Sequence, residues 1–506
     1  MIMKKSILFL YLGSTLTALS ANDVYQTPNT GTVYTFADLA KIADSGVIQL
    51  DDNTFSLSKD IDVLDQDGLV LDNNATLRMG ADILVRMYGG NNNFAPADTA
   101  TIMPTEEGIK PKGIHFLDTS VPQSVKHVRF EGAGLRLGAP AGVTVESCSF
   151  IEHNTRIGNY AIGFVASSIN NAVRNCYFYR THLSAIGAGS NLAAGVVIED
   201  NVFEDCSTDN RNYPVINETP AADNGAIIIR RNTIYGGKRT LPGAISVSNM
   251  LSMIGNHRIE IEDNYMDNSR YGINILGNYM NVKIKGNEII NCHYETNAMN
   301  GGSGITVNST SDSNPTSVYV EGNTIDGCLW GATIIGKTRA NFGNNADASS
   351  SDYNPGGNVF ANNGNCGKTP AGAENAWDPT IPYDLYNNTA LTIYAQGNTW
   401  GGADQSAEEI EKRIYHKADN SALGEVVYLP AGGVAGITEI ETPDFSISVS
   451  GAGRFSVNGV DATTPVVVYD LSGIRLFNGT AGQEITTSHR GAAIVVVGGK
   501  SVRILL

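Results

Sequence analysis

The chain has 506 residues, a formal charge of −17 and a pI near 4.9. That acidity argues against nucleic-acid phosphates or an anionic membrane as its partner, and no stretch reaches membrane-spanning length. The length suits several ordinary domains or one long repetitive unit, and 55 glycines point to a chain that turns often.

At the N-terminus, Lys4 and Lys5 precede the apolar run Ile7–Leu12 and the small residues Ala18, Ser20 and Ala21. This reads as a signal peptide over 1–21, too short in its apolar part to span a bilayer. A short amphipathic helix is then expected from Phe36, with Thr35 as N-cap and Phe36, Leu39, Ala40 and Ala43 facing the first coil. Ser406 and Glu409 form the pattern of a capping box for a second helix carrying Ile410 and Ile414. Each helix is placed as a plug on one end of a solenoid.

Between them runs a repeat of apolar-x-apolar-x-x-Asn-x-apolar. Clear copies are Val196–Phe203, Ile227–Ile234, Ile259–Met266, Val282–Ile289 and Val318–Ile325. Most copies are followed by a strand that opens on Gly or Ala, such as Ala244–Val247 or Gly272–Ile275. Three short strands per repeat predict an all-β, right-handed parallel β-helix of about 10–12 coils over 22–430, with helical end caps. Cys148 and Cys176 fall in the Asn column, with Ala133 before them and Asn358 and Asn398 at its far end; Asn53 and Asn74 occupy similar settings. Buried amides at strand spacing bond one above the next, which is why the bend selects Asn.

Two residues before each Asn slot the chain reads Glu146, Arg174, Glu199, Arg230, Glu262, Lys285, Glu321. Alternating sign in one file removes like-charge repulsion, so these carboxylates are assigned to structure and not to acid/base chemistry. Six cysteines in an exported chain permit disulfides. Cys148 with Cys176 and Cys292 with Cys328 are close enough for bonds, and stacked thiols fit the same columns.

Residues 397–402 (Gly-Asn-Thr-Trp-Gly-Gly), Glu408-Glu409-Ile410, Ile414-Tyr415-His416 and Val426–Pro430 resemble the closing segment of secreted bacterial right-handed β-helix proteins of the pectate-lyase-like superfamily. With the repeats, the resemblance covers residues 24–430 and implies a fold more than an activity. Residues 431–443 read as a linker, and the alternating runs over 444–506 as a small β-sandwich. Val468–Gly473 with Gly498-Gly499-Lys500 looks like the C-terminal sorting domain of Bacteroidetes type IX secretion substrates, which implies surface export. Gly491-Ala492-Ala493 and the terminal Leu505-Leu506 depart from that pattern.

The outward position of the Gly/Ala-led strands reads Gly163, Gly187, Ser246, Asn274, Thr306, Thr333, none of which titrates near neutrality. Polygalacturonase-like acid motifs and a calcium-binding cluster of Asp are both missing, so no metal or cofactor is expected. Just upstream of that column lie Arg156, Arg180 with His182, Arg211, Lys238 with Arg239, Arg270 and His293, accompanied by Tyr160, Tyr213, Tyr271 and Tyr294. If stacked, they form a cationic, aromatic stripe of about 25 Å, suited to an acidic polysaccharide. In a β-elimination, Arg180, Arg211 or Arg239 would neutralise a uronate carboxylate while His182, Lys238 or Tyr213 takes the C5 proton. The alternative is a non-catalytic adhesin or glycan-binding solenoid using the same stripe. Either way the chain is expected to be secreted or surface-bound and monomeric.

Overall fold

The computed structural model describes residues 23–432, apart from 118–119, 155, 190–191 and 221–224, and residues 445–505, apart from 452, 471–474, 488–491 and 499. The expected signal peptide, most of the expected linker, and Leu471–Gly473 and Gly491 of the sorting-domain-like pattern lie outside the described residues.

A period-two strand buries only one face, so each coil closes against the next around a shared core. A central coil gives one strand to each of three long sheets, and the coils at the two ends give fewer. Sheet 1 has 14 strands, from Val24–Gln26 to Ile414–Tyr415; sheet 2 has 11, from Gln123–Lys126 to Val426–Val427; sheet 3 has 13, from Val47–Gln49 to Val359–Ala361. Pairing within them is parallel except between the first two strands of sheet 3. Inward positions pile like on like. Ile162, Ile186, Ile216, Ile245, Ile273 and Ile305 are fully buried in one file. In sheet 3, Phe130, Phe150, Phe178 and Phe203 stack with ring centroids 4.7, 5.0 and 4.7 Å apart.

The bend from sheet 2 into sheet 3 is an amide ladder. Asn201, Asn232, Asn264, Asn287, Asn323, Asn358 and Asn398 are buried, and each Nδ2 donates to the Oδ1 of the next at 2.8–3.0 Å. The same Oδ1 accepts the backbone N–H of the preceding rung, as in Asn264 N to Asn287 Oδ1 at 3.0 Å. The residue before each rung has a left-handed φ, 58° at Asp200 and 54° at Asp263. Asp and Gly tolerate that conformation, which explains the Asp-Asn and Gly-Asn pairs of the repeat.

Toward the N-terminus the slot turns apolar, and two expectations need correction. Ala133 precedes the sheet 1 strand Gly134–Leu137 and is no rung; Val128 holds that slot, in register between Ala100 and Cys148. Asn53 and Asn74 are exposed turn residues, and Ala75 takes the buried position after the latter. All six cysteines are free thiols, five of them buried.

The charge file is stacked as expected, each member in register with the next. Glu199 binds Arg174 at 2.8 Å, Arg230 at 2.7 Å and Arg231 at 2.9 Å, and Lys285 binds Glu321 at 2.8 Å. At the first end, helix Phe36–Ala40 carries the Thr35/Asp38 capping box and buries Phe36 and Leu39. At the other, helix Ala407–Glu411 buries Ile410, but the Ser406 hydroxyl makes no cap bond. Lys412 holds Glu409 at 2.5 Å and Asp404 accepts the Ser406 N–H, so the expected box does not close. From residue 445 on, antiparallel sheets of three and four strands enclose a separate core of Phe455, Val466, Val468, Ile485 and Val495.

Replacing Asn287 by Ala strands the backbone N–H of Asn264 and takes one of the two bonds of its Nδ2, leaving that to Ile229 O. We expect a loss of about 3 kcal/mol, read as a shifted urea midpoint. A loss no larger than that of an exposed Asn, such as Asn74, would show that the ladder adds nothing to stability.

Candidate functional site

The outer face of sheet 1 carries one uninterrupted file. In register it reads Asp62, Arg86, His115, Arg136, Gly163, Gly187, Asn217, Ser246, Asn274, Thr306, Thr333, Tyr386, Tyr415. The column therefore begins well before Gly163, at Gln26 beside Asp62, and its members from Asp62 to Arg136 are titratable. That corrects the reading that no outward position titrates. The signal was present in Gly113-Ile114-His115-Phe116 and Gly134-Leu135-Arg136-Leu137, which follow the same small-apolar-x-apolar pattern as the later strands.

The two arginines of this file differ in their surroundings. Arg86 is neutralised by Asp62, Nε to Oδ1 at 2.5 Å, and by Asp60, Nη1 to Oδ2 at 3.1 Å, both carboxylates being buried. Arg136, half-buried one rung beyond His115, has no acidic partner among the described residues, and burial lowers its pKa from the ordinary value. His115 stands between the two guanidiniums. Its pKa is pushed down to about 4, by burial first and by Arg136 and Arg86 after that. Its Nε2 is buried with no hydrogen-bond partner, and a Cβ on Gly138 would lie 3.3 Å from that atom. The glycine keeps that flank of the imidazole clear.

Beyond Arg136 the floor is bare at Gly163 and Gly187, and Tyr160 lies across it. A Cβ on Gly187 would meet the ring 2.4 Å away. The Tyr160 hydroxyl donates to Ala188 O at 2.9 Å and its pKa rises to about 12, through burial and then Glu218 and Tyr213. Farther along come the short polar side chains Ser246 and Asn274, joined at 3.0 Å. The file ends in an aromatic group, Trp330 against Tyr383 at 4.4 Å and Tyr386 at 5.5 Å, with Tyr386 edge-on to Tyr415 at 5.1 Å. Eight strand spacings separate Arg136 from Tyr386, about 40 Å.

The turns entering sheet 1 hold the residues singled out from sequence, and most of the cations there meet carboxylates. Arg156 binds Asp82, Nε to Oδ1 at 2.6 Å. Asp205 joins Arg180 and Arg239, each at 2.6 Å. Arg270 binds Glu295 at 2.8 Å and Asn300 O at 2.9 Å, and it lies over the ring of the buried Tyr271. His182 faces Asp209 at 3.6 Å and shares with Arg180 a cavity of about 570 Å³ that also admits Lys110, Glu131 and Glu152. Lys238 sits beside Tyr294 and His293, the latter buried, bonded to Gly327 O and stacked on Trp377. Arg211 lies over Tyr213, whose neighbour is Tyr160. The structure thus groups Arg180 with His182 and Arg239, and Lys238 with His293, while Arg156 and Arg270 stand in pairs of their own. Among the described residues no group of three or more His, Cys, Asp or Glu is arranged to hold a metal ion.

No family model and no curated relative matches the chain. Among solved structures it is similar to a mutant of the periplasmic alginate epimerase AlgG, with 11% identity over 78% of this chain and 84% of that one and a TM-score of 0.44. It is also similar to a mannuronic acid specific polysaccharide family 6 lyase from human gut microbiota, with 11% identity, coverage of 79% and 91% and a TM-score of 0.28. For the Dettilon tailspike protein the values are 11%, 92% and 81%, and 0.24. Likenesses this distant say nothing of substrate or reaction.

The electrostatics make a direct prediction. The unfolded chain takes up the His115 proton as pH falls through 6.5, whereas the folded chain stays neutral there until about 4, so acidification across that window lowers stability. In the folded protein the His115 ring signals should titrate far below 6.5, and Arg136→Gln should move their midpoint upward. A parent midpoint near the ordinary value would remove the desolvated imidazole from the site.

Proposed function

We propose that the chain binds an acidic polysaccharide along the outer face of sheet 1 and cleaves it by β-elimination, with Arg136 neutralising a uronate carboxylate and His115 taking the C5 proton. One observation carries this reading: a half-buried guanidinium without a carboxylate partner among the described residues stands one rung from an imidazole held in its neutral form. A desolvated, unpaired cation calls for an anion, and a planar carboxylate matches its fork of donors. When the carboxylate settles on Arg136, part of the charge that depresses His115 is cancelled and the imidazole becomes a stronger base. The C5–H electron pair forms the C4–C5 double bond, the C4–O bond breaks, and the departing oxygen takes up a proton. Downstream, Ser246, Asn274 and Thr306 offer hydroxyls and amides to sugar rings, and Tyr386 and Tyr415 offer faces for stacking.

The cations of the entry turns extend this site. Arg211 and Tyr213, next to Tyr160, flank the floor, while Arg180, His182, Lys238, Arg239, Arg270 and His293 line the approach with their charges largely compensated. The N-terminal segment with Lys4, Lys5 and the apolar run supports export to the cell surface or beyond, and among the described residues no helix is long and apolar enough to cross a membrane.

Purified protein incubated with polygalacturonate, polymannuronate, polyguluronate and hyaluronan should raise ultraviolet absorbance through unsaturated uronate ends on one of them. Arg136→Ala should lower kcat/KM about a hundredfold or more and His115→Ala should abolish turnover, with the β-sheet circular dichroism spectrum unchanged. Retention on these polymers that salt abolishes, without unsaturated products, would establish the glycan-binding solenoid instead.

A further inference from the structure

Sheet 2 presents a different outer face, and there one coil breaks a rule that its neighbours keep. Between sheets 2 and 3 the chain turns through a left-handed residue and the ladder Asn, as at Arg231-Asn232 and Gly286-Asn287. A turn so tight leaves no wall beside sheet 2. After the strand Arg339–Gly343, however, residues 344–357 are inserted before Asn358 resumes the ladder, bonded to Asn398 as usual. The insertion is tied down. Asn354 donates to Val320 O and Asn341 O at 3.1 and 2.9 Å, Asn341 donates to Asp352 O at 2.8 Å, and Asn344 pairs with Asn354.

Against this loop the outer face of sheet 2 forms a cavity of about 780 Å³, within the range of pockets that hold small ligands. Two files of side chains make its floor: Arg258, Asn281, Ser317, Arg339, and Glu260, Lys283, Tyr319, Asn341, Tyr394. Tyr394 is exposed and Tyr319 half-exposed, two rungs apart, about 10 Å along the sheet. On the floor Arg258 pairs with Glu260 at 2.7 Å and Lys283 with Glu262 at 3.0 Å, while Arg339 is exposed and has no ion pair among the described residues. The face differs from sheet 1 in that Arg339 is exposed to solvent, whereas Arg136, likewise without an acidic partner among the described residues, is half-buried. It offers flat rings, amides and hydroxyls, with no desolvated cation that asks for a carboxylate.

We infer that this cavity is a second glycan-binding site, which holds an uncharged stretch of oligosaccharide by stacking on Tyr319 and Tyr394 and by hydrogen bonds to Asn281, Asn341 and Arg339. The inference does not rest on the reaction proposed for sheet 1. Tyrosine supplies an apolar face and a polar rim at small entropic cost, which is what a sugar ring with its axial C–H groups and equatorial hydroxyls requires. The single inserted turn gives that surface the wall it otherwise lacks.

The test uses the full chain carrying Arg136→Ala, so that the sheet 1 site is silenced, on a printed array of neutral plant, algal, fungal and bacterial glycans. Binding to a neutral glycan should persist at high salt. Adding Tyr394→Ala should weaken it about tenfold, and Tyr319→Phe, which keeps the ring, should not. Array signals that are absent, or that are the same with and without Tyr394, would overturn the proposal. Normal turnover of an acidic polymer by Tyr394→Ala alone supports two separate sites, whereas loss of that turnover counts against them. If Arg136→Ala changes nothing while Tyr394→Ala does, the sheet 1 reading fails and this one stands.

Discussion

Because each coil lies one strand spacing above the last, about 4.8 Å, whatever stands at one position is pressed against its counterparts above and below. The chain must therefore choose residue types that tolerate stacking on themselves. Ile and Phe do so by packing, Asn by donating from Nδ2 while accepting at Oδ1, and charged residues only by alternating sign. Cys148 and Cys176 show the weaker solution, two thiols at a place where amides would bond, each with its Sγ against backbone carbonyls.

The same rule gives the file of sheet 1 its meaning. Asp62, Arg86, His115 and Arg136 form a stack in which one acid is followed by two arginines that flank an imidazole. Asp60 completes the neutralisation of Arg86, and nothing on the described chain does so for Arg136. In a protein of formal charge −17 with 51 acidic residues, a half-buried arginine without one of them costs stability. Such a cost is intelligible where the missing anion is supplied from outside. His115 pays the same penalty in another form, since it stays neutral between two cations where a solvated histidine would be free to titrate.

Sheets 2 and 3 were legible in the sequence because Asn fixes the phase of the repeat. Once Asn201 is seen, Val196, Ile198 and Phe203 fall into place, and so does the charge file two residues upstream. The first half of the molecule lacks that marker. Its slots hold Ala75, Ala100, Val128, Cys148 and Cys176, which look like any other buried positions, so nothing in the sequence marks the phase there and the outward column reads from Gly163 instead of from Gln26. The partners of the turn cations were illegible for another reason. Asp82 is 74 residues from Arg156 and Asp205 is 25 from Arg180, and they project from turns of unequal length whose offsets carry no period. Sequence separates strand columns cleanly and turn contacts hardly at all.

Unequal turn length also explains why the two outer faces differ. The chain is free to lengthen where it enters sheet 1, as between Tyr235 and Ile245 or between Ile290 and Ser303, because no ladder constrains those corners. Loops accordingly stand at several levels where the chain enters sheet 1, beside a file that runs the length of the sheet. Beside sheet 2 each added residue must leave the ladder amide in register, since a displaced Asn would leave the N–H of the rung below unsatisfied. The insertion at 344–357 meets that demand by closing on itself through Asn344 and Asn354 before Asn358 takes its rung. It walls only a few coils, so whatever binds there is held by a patch, not along a track. A long file that holds a cation without an acidic partner among the described residues, and a short walled patch of tyrosines, follow from one constraint, applied strictly at one corner of the coil and relaxed at another.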